Sequence, residues 1–193
     1  ATLVAVKDLL GRVTAVPGVQ AAGITDFRPL SSTMHVAVER LSHPGHTYPV
    51  TRECVGGDYF AAIGTPVIRG RAFTNHDDAR SPDVAIVNEA AARMLWPGQE
   101  GLGQRMVTTD RKRRRVWEVV GIAGDVRRSA LDRPANPSVY LPLSQEPQLR
   151  LNLVVRSRPG VPPAALEREV RTRMAQVNPD LVAARVDMMQ QVV

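Results

Sequence analysis

Apolar positions along this chain recur with two different periods, and the changes between them lay out its elements. In residues 3–16, Val6, Leu9, Leu10, Val13 and Val16 recur every three or four positions, which predicts a helix with one buried face, and Pro17-Gly18 ends it. The strand VQAAGITDF follows. Near the other end, LNLVVRS at 151–157 predicts a strand, and Pro162-Pro163 opens a helix with Leu166, Val170, Met174 and Val177 on one face. Asn178-Pro179 closes that helix ahead of a further strand, LVAARVDM. Placing Leu9, Val13 and Val16 over Val170, Met174 and Val177 aligns two helix, turn and strand units with one constant offset, which indicates an internal repeat. A β-α-β element used twice predicts a small split α/β sandwich with two helices on one sheet face. The first unit has no leading strand, and that strand is expected upstream of Ala1.

Between these halves the pattern changes to short apolar strands cut by glycine and proline. A polar stretch, SSTMHVAVERLSHPGHTYPVTRECV at 31–55, predicts two strands and a loop. Gly56-Gly57-Asp58 then turns into a short helix, DYFAAIG, with Asp58 expected to cap its first turn. The run VAIVN leads into a helix from Glu89 to Trp96, closed by Pro97-Gly98, and QRMVTT, VWEVVGIAGDV and SVYLPL complete a mixed β-rich unit. The expected class is therefore α+β, with a second subdomain inserted into the first. The divisions fall at 1–52 for the first half of the split sandwich, 53–149 for the insertion and 150–193 for the second half.

Length and composition narrow the possibilities further. A chain of 193 residues buries enough surface for one domain or two small ones sharing an interface. It has no run of about 18 apolar residues, and ATLVAVKDLLGR lacks the features of a signal peptide. Such a segment is compatible with a piece lying between two transmembrane helices. The net charge is +6, and only Lys7 and Lys112 among the 25 basic residues are lysines. The densest run, Arg111, Lys112, Arg113, Arg114 and Arg115, lies between two predicted strands. It is read as a solvated hairpin tip, in preference to a site for nucleic acid or for an anionic membrane or partner surface. The single cysteine, Cys54, excludes an internal disulfide and a cysteine-based zinc site, and it is expected to be a buried strand thiol.

Candidate chemistry is sparse. His35, His43, His46 and His76 invite a metal reading, but no carboxylate or cysteine pattern completes a site. Asp77 and Asp78 are adjacent and so point apart on extended backbone, which favours a turn or capping role over paired-carboxylate chemistry. Asp125 follows Gly124 at a strand end, where α/β enzymes place functional carboxylates. No GxxxxGK[ST], GxGxxG or GxSxG accompanies it, so a hydrogen-bonded structural role is expected. Gly64, Gly70 and Gly103 are read as turn or close-approach glycines, and Tyr59, Phe60, Phe73 and Tyr140 as core anchors among aromatics that also include Phe27, Tyr48, Trp96 and Trp117. No residue is assigned a catalytic, cofactor-binding or metal-binding role, no cofactor is expected, and the enzyme class is set aside.

The order YF…IG…GR.F…D…VAIVNE..A…GxxxG…VVG..GDVR…VYLPL.Q resembles the MacB-like periplasmic core domain of ABC transporter permeases that carry the FtsX-like transmembrane domain. Here it comprises Tyr59, Phe60, Gly64, Gly70, Arg71, Phe73, Asp77, Val87, Asn88, Glu89, Ala92, Gly103, Gly121, Asp125, Val126, Tyr140, Pro142 and Gln145. The resemblance implies a periplasmic domain between the first two transmembrane helices of an inner-membrane permease, with a porter-like split subdomain and an inserted sabre-like one. It implies mechanotransmission from an ATPase, and as partners the rest of the permease, its dimer mate, the ABC ATPase and a periplasmic adaptor or exported cargo, with no nucleic acid. The competing expectation is a periplasmic small-molecule binding or sensor module.

Overall fold

VAIVN and SVYLP read as unbroken apolar runs, without the alternation of a half-exposed strand, because both are buried on their two faces. That double burial organises the fold. A computed structural model describes residues 3–26, 35–110, 113–125 and 135–177. In chain order its elements are α1 (Leu3–Thr14), β1 (Val19–Thr25), β2 (His35–Arg40), β3 (His43–Gly57), α2 (Tyr59–Ile63), β4 (Val67–Gly70) and β5 (Val84–Asn88). There follow α3 (Glu89–Leu95), β6 (Arg105–Asp110), β7 (Arg113–Ala123), β8 (Ser138–Pro142), β9 (Asn152–Ser157) and α4 (Pro163–Val177).

The nine strands form one mixed sheet in the order β2-β6-β7-β5-β8-β3-β1-β9, with β4 paired to β7. A further ladder between β2 and β3, from His35↔Thr51 to Val38↔Tyr48, brings the path back on itself. Strands β2, β6, β7, β5, β8 and β3 thus close a barrel, which removes their free edges. Two of its pairs are parallel, β3 with β8 and β5 with β7. All six strands send side chains into one apolar cluster: Val38, Val50, Met106, Trp117, Ala85, Val87, Val139 and Leu141 are each at most 1 % exposed. Helix α3 folds over one end of the barrel, adding Ala91, Leu95 and Trp96 to the same cluster. On the outer face of β5 and β8, Ile86 and Tyr140 are covered by Tyr59, Phe60 and Phe73, with the Phe60 and Tyr140 ring centroids 5.0 Å apart. The four aromatics are the core anchors the pattern predicted.

The sheet continues past the barrel because β3 is fifteen residues long. Its last residues pair with β1 (Gly23↔Gly57, Thr25↔Val55), and β1 pairs with β9. Helices α1 and α4 pack against each other and onto one face of this extension, while α2 packs on the other. The α2 side is exceptionally close: a Cβ built on Gly23 would sit 2.4 Å from Tyr59 Cα and 2.6 Å from its N. Glycine is the residue that lets these two backbones meet.

Several expectations need correction or completion. The mixed, sheet-dominated class is observed, but barrel closure was not anticipated, because the β2–β3 and β2–β6 ladders join segments whose polar sequences carry no register signal. Strand β4 also escaped the pattern. The boundary expected between 52 and 53 falls inside β3, which runs unbroken through it. Asp58 makes no side-chain capping bond. Its amide instead donates to Ala22 O at 3.0 Å, so the chain enters α2 held by β1. The strands on either side of the arginine run pair antiparallel from Asp110↔Arg113, Arg111 and Lys112 lie outside the described residues, and Arg115 is withdrawn from solvent, its side chain 15 % exposed. Gly64, Gly70 and Gly103 take positive φ as expected. The strand LVAARVDM, Phe27 and Val126 lie outside the described residues.

The close approach at Gly23 predicts that Gly23→Ala lowers stability by about 3 kcal/mol, the upper range for forcing atoms into a packed core. Gly11, in α1, has no atom within 4 Å of a built Cβ. Gly11→Ala is expected to raise stability by roughly 0.5–1 kcal/mol through helix propensity. Urea denaturation of the two variants checks both signs.

Candidate functional site

The sequence-predicted candidates do not converge. His35, His43 and His46 are exposed on β2 and β3, and His76 lies on the loop before β5. His46 packs edge-on against Tyr48, with centroids 4.6 Å apart, and Ser42 Oγ lies 3.0 Å from His43 Nδ1. Among the described residues no three His, Cys, Asp or Glu side chains group as metal ligands would. Cys54 is fully buried, and burial, reinforced by Asp26, pushes its thiol far above the usual range. Its Sγ lies 3.2 Å from Arg52 Nη1 and 3.3 Å from Gln148 Nε2. A thiol held protonated in this way is inert.

The polar residues of the motif serve instead as knots that fasten loops to the barrel. Asn88 caps α3 by accepting from Ala91 N at 3.0 Å, and the same Oδ1 accepts from Ser138 N at 2.8 Å, so one amide ties β5, α3 and β8 together. Asp125 adds a second tie at this end, accepting from Ala90 N at 2.9 Å and from Arg93 at 2.7 Å. It is structural, as its lack of a phosphate loop implied. At the opposite end Gln145, 5 % exposed, accepts from Val84 N at 3.0 Å. Its Nε2 reaches Pro82 O at 2.8 Å, Ser81 Oγ at 3.0 Å and Asp78 O at 3.1 Å, which pins the loop before β5.

Two ion-paired clusters complete this end. Arg71 donates to both Asp77 carboxylate oxygens at 2.8 Å, and Thr74 N donates to Oδ2 at 2.7 Å. Burial alone would raise the Asp77 pKa, but the hydrogen bonds from Arg71 and Thr74 outweigh it and hold the carboxyl below the usual carboxylate range. Arg115 pairs with both Asp83 and Glu146, donates to Gln145 O at 3.2 Å and stacks over the Trp117 ring at 4.2 Å. This arginine therefore ties β7 to the segments just before β5 and just after β8. Sequence reasoning missed this because neither Asp83 nor Glu146 is near it in the chain.

A shallow groove of about 330 Å³ lies beside α3, lined by Arg69, Glu89, Arg93, Trp96 and Gln99 among others. Both guanidiniums on it are engaged, Arg69 with Glu100 at 2.8 Å and Arg93 with Asp125. The arrangement as a whole supplies rigidity and two differently built barrel ends.

Comparison with known proteins agrees with this architecture. A family model described as the MacB-like periplasmic core domain matches residues 4–173. The fold is similar to the periplasmic region of MacB from Actinobacillus actinomycetemcomitans, at 15% identity and TM-score 0.61, covering 88% of this chain and 72% of that one. It is similar to a permease-protein domain from Porphyromonas gingivalis, at 21% identity and TM-score 0.54, covering 84% and 71%. It is also similar to the extracellular domain of the noncanonic ABC-type transporter YknZ from Gram-positive bacteria, at 14% identity and TM-score 0.59, covering 90% and 82%. No curated protein gives a significant match.

The knots predict their own losses. Gln145→Leu takes from Val84 N and Pro82 O the partner that Gln145 gives them in a buried setting, and is expected to cost about 3 kcal/mol in chemical denaturation. Because the Asp77 pKa is depressed in the fold, its contribution is complete above the unfolded carboxylate range and is lost as pH falls through the folded value. The melting-temperature gap between the native chain and Asp77→Asn should be constant near neutrality and shrink below about pH 4.

Proposed function

This chain belongs to the family of MacB-like periplasmic core domains of ABC transporter permeases, and from that premise we propose that it carries conformational change from the transmembrane and ATPase parts of a permease to periplasmic partners or cargo. The observation that carries this reading is that its buried polar and ionic side chains are spent on fastening loops and barrel ends, as Asn88, Gln145, Asp77 and Arg115 are. A body that passes displacement from one end to the other needs that internal stiffness. No helix of the described residues is long and apolar enough to cross a membrane, and the attachment to transmembrane segments and the periplasmic location come from the family.

We also propose the two-part division. Helices α1 and α4 with β1 and β9 make the porter-like part, and the barrel makes the sabre-like part, with the crossing point within the last residues of β3 rather than at 52. The partners in this reading are the remainder of the permease and its dimer mate, the ATPase, and an adaptor or exported cargo outside the membrane.

A spin label at Thr47→Cys, on the exposed start of β3, tests the transmission reading in the full permease reconstituted with its ATPase. Its distance to the same label in the dimer mate should change between the nucleotide-free and ATP-trapped states, and an unchanged distance rejects transmission. A thermal-shift screen of the chain discriminates the small-molecule binder. Millimolar ligands are expected to leave the melting temperature in place, whereas saturable stabilisation by one chemical class favours a binding or sensor module.

A further inference from the structure

We propose that β3 is a rigid strut which makes the β2–β3 hairpin tip, residues 41–46, move as one body with α1 and α4, with no hinge between the barrel and the α1–α4 end. The functional weight of this inference rests on the transmission reading, but its geometry does not. At about 3.3 Å per residue, fifteen residues from His43 to Gly57 extend up to about 45 Å, enough to reach from the hairpin tip to the far part of the sheet.

The strut is braced along its length by three partners in succession. Residues 47–51 pair with β2, 51–55 with β8 and 55–57 with β1, so each ladder begins where the previous one ends, and past an irregularity at 44–46 His43 pairs with Arg40. A hinge between the two ends would have to open a ladder. At the junction the Gly23 backbone lies against Tyr59, and Gly57 brings Ala22 O and Leu10 within contact of a built Cβ. Arg156, on β9, donates from Nε to Ala62 O at 3.1 Å, and its Nη2 lies 2.1 Å from where a Gly64 Cβ would be, so its guanidinium fills the C-terminal end of α2. The Tyr59 hydroxyl donates to the buried Glu53 at 2.7 Å, from α2 back to the middle of β3. Gly23 and Arg156 thus tie β1 and β9 to α2, and Tyr59 ties α2 to the strut, so α2 bridges the barrel and the α1–α4 end.

The tip itself is not built for strand addition. Pro44 and Pro49 stand on the part of β3 that pairs only with β2, and proline on an open edge blocks a further ladder. What the strut delivers is a set of side chains, among them Leu41, His43 and His46, at a fixed position relative to α1.

The test is a distance distribution by pulsed electron paramagnetic resonance on the 193-residue chain labelled at Lys7→Cys in α1 and Thr47→Cys near the tip. Cys54 stays unlabelled because it is 0 % exposed. A reference pair, Lys7→Cys with Arg168→Cys, reports the spread of two labels on α1 and α4. The expected result is a single peak no wider than the reference. A second peak, or a width about twice the reference, overturns the strut. Gly23→Ala should widen the peak by separating β1 from α2. Arg156→Ala, which removes one guanidinium without inserting an atom into the junction, is the second variant should Gly23→Ala fail to fold. An unchanged width in a folded variant of either kind overturns the claim that this junction locks the strut. A hinge found here leaves nucleotide-driven displacement of Thr47 in the full permease untouched, and loss of that displacement leaves the strut untouched, so the two ideas fail separately.

Discussion

The pairing of β3 with three different strands is the constraint on which the rest of the structure depends. Its first half closes the barrel through β2, its middle carries β8, and its end starts the extension through β1. Without the β2 ladder the barrel would be an open sheet with two long exposed edges, and its interior would admit water. Without the β1 ladder the α1–α4 layer would have no sheet to pack on. The glycines at the end of this strand are part of the same solution, since β1, β3 and α2 approach each other more closely than side chains allow.

Around that strand the molecule uses its polar residues inwardly. Asn88 serves three elements with one amide, Gln145 holds the loop before β5, and Arg115 sits between two carboxylates and on an indole face. In a buried setting such groups are worth having only when each is fully partnered, and once partnered they fix a single arrangement. A side chain held in this way is poorly suited to changing protonation or binding a substrate. This internal use of polarity fits the role proposed above for a member of the MacB-like periplasmic core domain family.

Local pattern was legible wherever one element's burial is imposed by its own sequence. The amphipathic spacing of Val6, Leu9 and Val13 gave α1, the proline pair gave the start of α4, and the apolar runs gave β5 and β8. The structural roles of Asp77 and Asp125 were legible too, because isolated carboxylates without a phosphate loop or a partner pattern have little else to do. Arg115 was misread as a solvated tip residue because its partners, Asp83 and Glu146, are each about thirty residues away. The Asp58 cap failed because the residue's backbone, at φ −84° and ψ 46°, departs from the extended form in which an N-cap side chain reaches the first-turn amides.

By itself, then, the sequence determined the described elements other than β4, the aromatic anchors, the glycine turns and the family, since each rests on residues close in the chain or on their order. Only the tertiary structure decided that six strands close a barrel, that β3 runs through the expected boundary, and that Arg115 pairs with two carboxylates from distant segments. Those features arise from ladders and ion pairs between segments far apart in sequence. Their register is set by how the whole sheet twists and closes, and no local pattern encodes it.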